Sequence, residues 1–388
     1  APDGVEVPTQ WVEKRPRYTV VQSPNDCANM FKADRYSLRL HLGDIPGMGY
    51  RTFLLRPVEE ESYRKQETQL TGPLTMENEH LVVQLNGNGT YDVTDKATGA
   101  VHASLGYFRD ASEIGNPWER HQVPNDESLT TLGEQARICL VRDGALETTF
   151  RVELDWALPA RRSGDERSRS TERVPYRIVN RLTLRKGQRW VECVTEIDNT
   201  ARDHYLQVSF PTGIETDTVQ AQTPFDVVTR PVERPDPSIY AEPPQTEHPM
   251  DRFVDLSNGE RGVALLNEGL KAYEVHEDAE YTMSLTMLRC FPLRICITNL
   301  EMTDYSGEDE GSQCLGKHTF RYGFMPHRGD WQTAGVWQAA EAFNHMLRIA
   351  QIAPTAHGSQ PLERSFLEVD PPSVHVSAVK QSEDGKGW

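Results

Sequence analysis

The sequence predicts an all-β protein built as a sandwich of sheets. Short stretches that alternate between apolar and polar residues recur along the 388 residues, and Gly, Asn or Pro residues bound several of them. In addition, only one stretch has the apolar spacing of a helix. Residues 81–85 and 91–93 show the strand pattern clearly, because the glycine-rich turn 86–89 joins them into a β-hairpin.

The first 65 residues start with a Pro-rich, poorly patterned stretch and continue with two candidate strands, 36–42 and 50–55. In 36–42 every second residue is Tyr or Leu, so these side chains share one face of a half-buried strand. A charged stretch, 59–67, follows and has the composition of a solvated linker.

Beyond this stretch, candidate strands follow one another at short intervals: 81–85, 91–93, 136–142, 147–156, 176–185, 189–198, 205–210, 262–266, 282–288 and 318–325. Residues 334–351 form the one candidate helix, since apolar side chains recur three or four residues apart and Pro354 follows. The Arg-rich stretch 161–170 predicts a solvated hairpin loop, with the steering of an anion as the alternative.

Charge and cysteine usage restrict the partners. The chain has 41 Lys and Arg against 58 Asp and Glu, a formal charge of −17, which argues against nucleic acid and anionic membranes. No apolar run reaches the ~20 residues that span a bilayer. The six cysteines are scattered without a C-x-x-C pair, so we expect mostly buried thiols and a reducing, cytoplasmic compartment.

No motif in the chain assigns a catalytic or metal site. The sequence has no G-x-S-x-G elbow, phosphate-binding loop or H-E-x-x-H helix, and its histidines are dispersed. We therefore predict no catalytic residue, no metal ligand and no cofactor within this segment.

Two local features suggest a ligand site. The stretch 108–118 contains Asp110, Asn116 and Trp118. Carboxylate and amide side chains bind the hydroxyl groups of sugars, and flat aromatic rings pack against the apolar face of the sugar ring. The alternative is a structural loop with Trp118 in the core. The second feature is a strand that ends in Arg289, which either pairs with a core carboxylate or points into a cleft.

An ordered series of motifs extends from residue 45 to residue 385. They are IPGMGY (45–50), ENEH (77–80), NGNG (86–89), DKATG (95–99), the stretch 108–118, FVDLS (253–257), GVALLNEG (262–269), LTMLR (285–289), FN (343–344), SF (365–366), SAVK (377–380) and EDG (383–385). In this order they resemble the C-terminal, non-barrel half of glycoside hydrolase family 38, the α-mannosidases, and its bacterial members in particular.

The resemblance implies a large two-sheet supersandwich of the galactose mutarotase type over residues 66–388. Residues 1–65 would be the remnant of a small β module plus a linker. Relatives continue into a further strand beyond the motif near residue 385, so the resemblance also implies a sandwich truncated at its C-terminus. The chain would then be a piece of a longer enzyme.

The family's reaction is retaining hydrolysis of α-mannosides, with a carboxylate nucleophile and a zinc ion held on an N-terminal α/β barrel region. No part of this chain resembles that region, so no catalytic or zinc residue is carried over. We expect the segment to be inactive alone and zinc to be present in the full-length enzyme. The resemblance implies an α-mannoside and the missing N-terminal domain as partners, with self-assembly as a further expectation.

Some substrate-binding positions are carried over. Trp118 matches a Tyr that faces the substrate pocket, so stacking is retained while the hydroxyl is lost, and Asn116 stands where relatives have Asp. Arg289 is the nearest match to an arginine that reaches the pocket, and Asp110 completes the predicted substrate-binding set. Two alternatives are a stand-alone carbohydrate-binding β-sandwich and a mutarotase-like epimerase that uses a histidine such as His204 with a glutamate.

Overall fold

The computed structural model describes residues 1–23, 25–56, 67–240, 244–296, 302–305, 310–352, 358–370, 374 and 376–387. Within these residues the chain forms mostly β-strands and a single α-helix, α1 (Val336–Asn344), so the predicted all-β class with one helix near the C-terminus is confirmed. The strands are β1 (Thr9–Ser23), β2 (Asp26–Leu40), β3 (Gly49–Arg51), β4 (Leu70–Gly72), β5 (Thr75–Glu77), β6 (Leu81–Leu85), β7 (Tyr91–Asp95), β8 (Val101–Leu105), β9 (Tyr107–Ser112), β10 (Leu129–Thr130), β11 (Arg137–Arg142), β12 (Glu147–Pro159), β13 (Arg173–Arg185), β14 (Val191–Asn199), β15 (His204–Phe210), β16 (Thr218–Thr223), β17 (Asp226–Pro231), β18 (His248–Pro249), β19 (Phe253–Ser257), β20 (Arg261–Glu268), β21 (Ala272–Val275), β22 (Met283–Cys290), β23 (Arg294–Cys296), β24 (Met302–Asp304), β25 (Gly316–Arg328) and β26 (Glu363–Ser365).

The chain divides into two compact units. The first unit contains residues 1–66 and 349–388, and the second contains residues 67–348. The resemblance implies a sandwich that extends to residue 388, whereas the structure groups residues 349–388 with residues 1–66. They belong there because β26 pairs antiparallel with β3, with Ser365 opposite Gly49.

The first unit also contains a long hairpin. Strands β1 and β2 pair antiparallel over nearly their whole length, from Thr9 opposite Leu40 to Ser23 opposite Asp26. The predicted strand 36–42 is therefore the end of a much longer strand, and the candidate strand 50–55 is reduced to the short β3.

Three large antiparallel sheets and the small two-stranded sheet of β23 and β24 form the described part of the second unit. The nine-stranded sheet has the order β11-β12-β13-β14-β25-β20-β19-β16-β17, the six-stranded sheet β10-β9-β15-β22-β21-β18, and the five-stranded sheet β4-β5-β6-β7-β8. Buried side chains from all three sheets form one continuous apolar cluster, which includes Val93, Leu182 and Leu206. Each such side chain contributes about 1.5–3 kcal/mol when it is fully buried.

Helix α1 packs against the nine-stranded sheet through a second apolar cluster that contains Val336, Phe343 and Leu266. The helix is shorter than the predicted stretch 334–351. At its C-terminal end, Arg321 Nη1 donates a 2.7 Å hydrogen bond to the carbonyl of Phe343, which satisfies a free helix carbonyl. Beyond this point Met346 is 87% exposed, so no apolar contact extends the helix.

The five cysteines whose side chains the structure describes differ from the expectation of mostly buried thiols. Cys193 and Cys290 are buried, Cys314 is half-buried, and Cys27 and Cys139 are exposed. Cys139 lies on β11, an edge strand, where alternate side chains face solvent.

None of the helices found in the described residues has the length and apolar content needed to cross a lipid bilayer.

Candidate functional site

The predicted stretch 108–118 begins on strand β9 and continues into a loop, residues 113–121, on the six-stranded sheet. Strand β9 pairs with β15, and β15 pairs with β22, which ends near Arg289. The 113–121 loop and Arg289 therefore meet at one end of this sheet, although 176 residues separate Arg289 from Glu113.

Glu113 fixes the base of the 113–121 loop. Its side chain is fully buried, and Oε1 accepts hydrogen bonds from the backbone N–H groups of Gly115 at 2.6 Å and His121 at 3.2 Å. Its Oε2 accepts a bond from Arg289 Nε at 3.1 Å. Burial raises the pKa of Glu113, and the charge of Arg289 opposes this shift.

Arg289 joins the loop to strand β22. Besides Glu113, its Nη2 donates to the backbone carbonyls of Asn116 at 2.7 Å and Glu119 at 2.5 Å. Its guanidinium also lies 4.9 Å from the ring centre of Phe291. Pairing with a buried carboxylate, one of the two roles considered for Arg289, is thus present in the structure. Contact with a ligand stays a prediction.

Gly115 permits the close fold of this loop. An added Cβ at this position would lie 2.0 Å from the carbonyl oxygen of Glu119 and 2.7 Å from Glu113 Oε1. Because a backbone carbonyl cannot move away cheaply, the loop requires glycine here.

Asn116 and Trp118 lie at the tip of the loop. Asn116 Oδ1 accepts hydrogen bonds from the backbone N–H groups of Trp118 at 2.8 Å and Glu119 at 2.9 Å, which forms an Asx turn. Trp118 is 66% exposed. The alternative of a structural loop with Trp118 in the core is therefore wrong. An exposed aromatic face on an ordered polar loop is suited to stacking on a sugar ring.

Asp110 lies apart from the other three predicted residues. It is fully buried, and its carboxylate accepts from His204 Nδ1 at 2.6 Å and from Arg169 of the Arg-rich loop. His204 Nε2 in turn lies 3.0 Å from Asn199 Oδ1. The Arg-rich loop is therefore not wholly solvated, since Arg169 contributes a buried ion pair. His204, the candidate acid of the epimerase alternative, is fully buried in this network.

A polar cavity lies on the six-stranded sheet next to the loop. Its volume is about 150 Å³. Its lining residues are Arg109, Ala111, Arg120, Gln122, Gln207, Arg234, Thr246, Glu274 and His276. None of these was predicted as a site residue, because they come from separate segments that only the sheet brings together. Gln207 carried a usable signal, because it is a polar residue between Leu206 and Val208 in the predicted strand 205–210.

Glu274 and His276 lie at the floor of this cavity. Glu274 Oε2 accepts from Gln207 Nε2 at 3.0 Å, and Oε1 accepts from Arg234 Nη2 at 3.1 Å. Burial acts to raise the pKa of Glu274, but the interaction with His276, the hydrogen bond from Gln207 and the charge of Arg120 outweigh it and lower the pKa. Burial lowers the pKa of His276, whose Nδ1 lies 3.2 Å from Arg109 Nη1. A guanidinium can only donate, so His276 Nδ1 accepts and the ring is neutral.

Zinc has no fitting site in the part of the chain that the structure describes. There, no three His, Cys, Asp or Glu side chains come together in a group that could hold a metal ion.

The fold and the site define a β-sandwich domain with an exposed aromatic loop beside a polar cavity. Residues 76–292 match the family model described as the glycosyl hydrolases family 38 C-terminal domain. This match covers more than half of the chain, so the chain belongs to this family.

Relatives support the same assignment. The chain is 28% identical over 359 residues to a putative mannosylglycerate hydrolase of Halalkalibacterium halodurans, which covers 88% of this chain and 38% of the relative. It is 25% identical to human alpha-mannosidase 2C1, covering 89% of this chain and 30% of that protein. The crystal structure of an alpha-mannosidase from Enterococcus faecalis V583 matches with a TM-score of 0.75 and 25% identity, over 88% of this chain and 39% of that one. The chain thus spans less than two fifths of the length of these relatives.

Proposed function

We propose that this chain is the β-sandwich part of a retaining α-mannosidase, in which the 113–121 loop completes the sugar site. The nucleophile and the zinc ion would lie on a preceding catalytic domain. The observation that carries the proposal is the exposed ring of Trp118, held at the tip of a loop that Arg289 and Glu113 anchor. Membership in family 38 and the names of the relatives support the substrate class.

In this proposal each loop residue has a distinct role. Trp118 stacks on the apolar face of the mannoside ring, and Asn116 positions Trp118 through the Asx turn. Arg289 is a positioning residue, because its donors are directed at Glu113 and the loop carbonyls. Asp110 acts from within the sheet, since its oxygens bind His204 and Arg169.

The proposal includes a reducing, cytoplasmic compartment. In the described part of the chain Cys193 and Cys290 are buried thiols without a disulfide, which is typical of reducing conditions. The preceding catalytic domain, the α-mannoside and further copies of the chain are the partners that we propose.

The test compares two preparations in the hydrolysis of an aryl α-mannoside, each with and without added zinc. The first is this chain alone, for which we expect no turnover, and robust turnover would overturn the placement of the nucleophile elsewhere. The second is the protein encoded by the complete reading frame that contains this chain. There, Trp118→Ala should raise KM about 10-fold, the loss of one aromatic contact. Phe225→Ala, which removes an exposed aromatic side chain from the turn between β16 and β17, serves as the control.

A stand-alone carbohydrate-binding module is the second candidate, and the exposed Trp118 favours it equally. Calorimetry of the isolated chain with methyl α-mannoside separates the two. Binding that Trp118→Ala abolishes, together with no turnover by the protein from the complete reading frame, would favour the binding module over the hydrolase.

A further inference from the structure

The cavity beside the 113–121 loop has an unusual charge for this protein. Three guanidinium groups, from Arg109, Arg120 and Arg234, line it against the single carboxylate of Glu274. His276 is neutral, so the lining carries a formal charge of 3 − 1 = +2 within a chain of −17. A local excess of positive charge in a recess attracts and holds anions.

Arg120 is the cation without a complete set of partners. Its side chain is 14% exposed, and its Nε atom is buried with no hydrogen-bond partner among the described residues. The nearest carboxylate oxygen, Glu113 Oε2, is 3.8 Å from Nε, and Arg289 already binds that oxygen. Glu113 thus compensates the charge of Arg120 only in part, which favours a further anion nearby.

The geometry of Arg120 is fixed before any ligand arrives. Its guanidinium lies 3.9 Å from the ring centre of Tyr205, a cation–π contact. Its backbone N–H donates to Gln245 Oε1 at 3.0 Å. A planar, preoriented guanidinium is suited to the two oxygens of a carboxylate.

The remaining lining determines the size and polarity of the ligand. A cavity of about 150 Å³ is known to admit a six-membered ring such as benzene. Here the walls carry amide and hydroxyl groups from Gln122, Gln207 and Thr246, which suit hydroxyl groups rather than a hydrocarbon.

We propose that this cavity binds a small hydroxylated carboxylate, no larger than a single-ring sugar acid, with Arg120 as the anchor of the carboxylate. The proposal goes beyond α-mannoside hydrolysis and does not rest on it, because the lining belongs entirely to residues of this chain.

The test is isothermal titration calorimetry of the chain with three probes: D-glucuronate, D-glucose as a neutral ring of the same size, and inorganic phosphate. We expect glucuronate to bind more tightly than the other two. Arg120→Gln should weaken glucuronate binding about 10- to 100-fold, the effect of losing hydrogen bonds to a charged group. Arg348→Gln, which removes the same charge at an exposed position in the second unit, should leave the affinity unchanged.

Each other outcome overturns part of the proposal. Equal affinity for glucose would remove the role of the charge, and tighter binding of phosphate would replace the carboxylate class. Unchanged affinity in Arg120→Gln would exclude Arg120 as the anchor, and no binding of glucuronate would leave only a water-filled recess. If Arg120→Gln lowers the melting temperature, Arg120→Lys is tested in its place, because it keeps the positive charge. A glucuronate affinity equal to that of the wild type in Arg120→Lys would exclude the planar guanidinium as the determinant of binding.

Discussion

Arg289 Nε lies 3.1 Å from Oε2 of the buried Glu113, and this pair joins strand β22 to the loop that carries Trp118. Arg289 also holds two carbonyls of the same loop, and Glu113 holds two of its backbone N–H groups. Both partners thus bind the loop as well as each other, so the exposed position of Trp118 depends on a hydrogen-bonded network beneath it.

Arg289→Met should destabilise the protein by about 3 kcal/mol, because it removes the nearer of the two guanidinium groups beside the buried Glu113 carboxylate and leaves only Arg120. Glu113→Gln should cost less, since Arg289 keeps its carbonyl acceptors. Urea unfolding of the two single variants and the double variant measures the coupling between them. Arg348→Met is the control, with an expected change within about 0.5 kcal/mol. A loss below about 1 kcal/mol in Arg289→Met would show that the pair does not anchor the loop.

Gly115→Ala should distort the loop, because the new Cβ would lie 2.0 Å from the Glu119 carbonyl oxygen. We expect a loss of about 1–3 kcal/mol, as for other overpacked sites, and faster amide exchange at His121. Gly133→Ala is the matched control, since an added Cβ there meets no atom within 4 Å. Equal stability of the two variants would mean that the loop accommodates a side chain.

Local alternation was enough to predict the longest strands of the second unit, β12 to β15, β20, β22 and β25, whereas shorter strands such as β9, β16 and β17 were not predicted. The hairpin of β6 and β7 follows from its period of two and from its Asn-Gly turn, and β15 begins one residue before the predicted stretch 205–210. The grouping of residues 349–388 with the first unit was not predictable in this way. It depends on contacts such as that of Ser365 Oγ with the carbonyl of Gly47, which are 318 residues apart in sequence.

The candidate site was predictable where it lies within one loop. The residue types of 108–118 indicated Asn116 and Trp118, and the structure places both at the loop tip that Arg289 anchors. Asp110 lies elsewhere because side chains alternate along β9, and its neighbours Arg109 and Ala111 face the cavity instead. The cavity itself combines segments from β9, β15 and β21 with loops, and no single stretch of sequence shows that combination.

Asp110→Asn should destabilise the protein by about 3–5 kcal/mol, because it leaves the buried Arg169 without a counter-charge and weakens the bond to His204. Arg169→Met should have a similar effect, and thermal and urea unfolding would measure both. Asp155→Asn removes a carboxylate from an exposed ion pair with Arg137, so we expect no measurable change there. Wild-type stability in Asp110→Asn would show that the buried network does not depend on this charge.

Glu192 should make stability depend on pH. Its carboxylate accepts two hydrogen bonds from Arg185, at 2.9 and 3.0 Å, and one from Arg321 at 2.6 Å. Burial alone would raise the pKa of Glu192, but the two arginines outweigh it and lower the pKa in the folded state. In the unfolded chain the pKa is about 4.3. The carboxylate therefore contributes its stability in full above this pH, and the contribution is lost as the pH falls through the lower pKa of the folded state.

Glu192→Gln removes the titrating group while it keeps the size of the side chain, so its effect isolates this contribution. At pH 7 the variant should be less stable than the wild type by about 2–3 kcal/mol. The difference should shrink as the pH falls below about 4, because protonation then also removes the charge from the wild type. Urea unfolding between pH 7 and pH 3 gives both curves, with Glu196→Gln, a half-exposed partner of Arg181 on the same strand, as the control. A difference that stays constant over this range would mean that the shape of the Glu192 side chain, and not its charge, stabilises the network with Arg185 and Arg321.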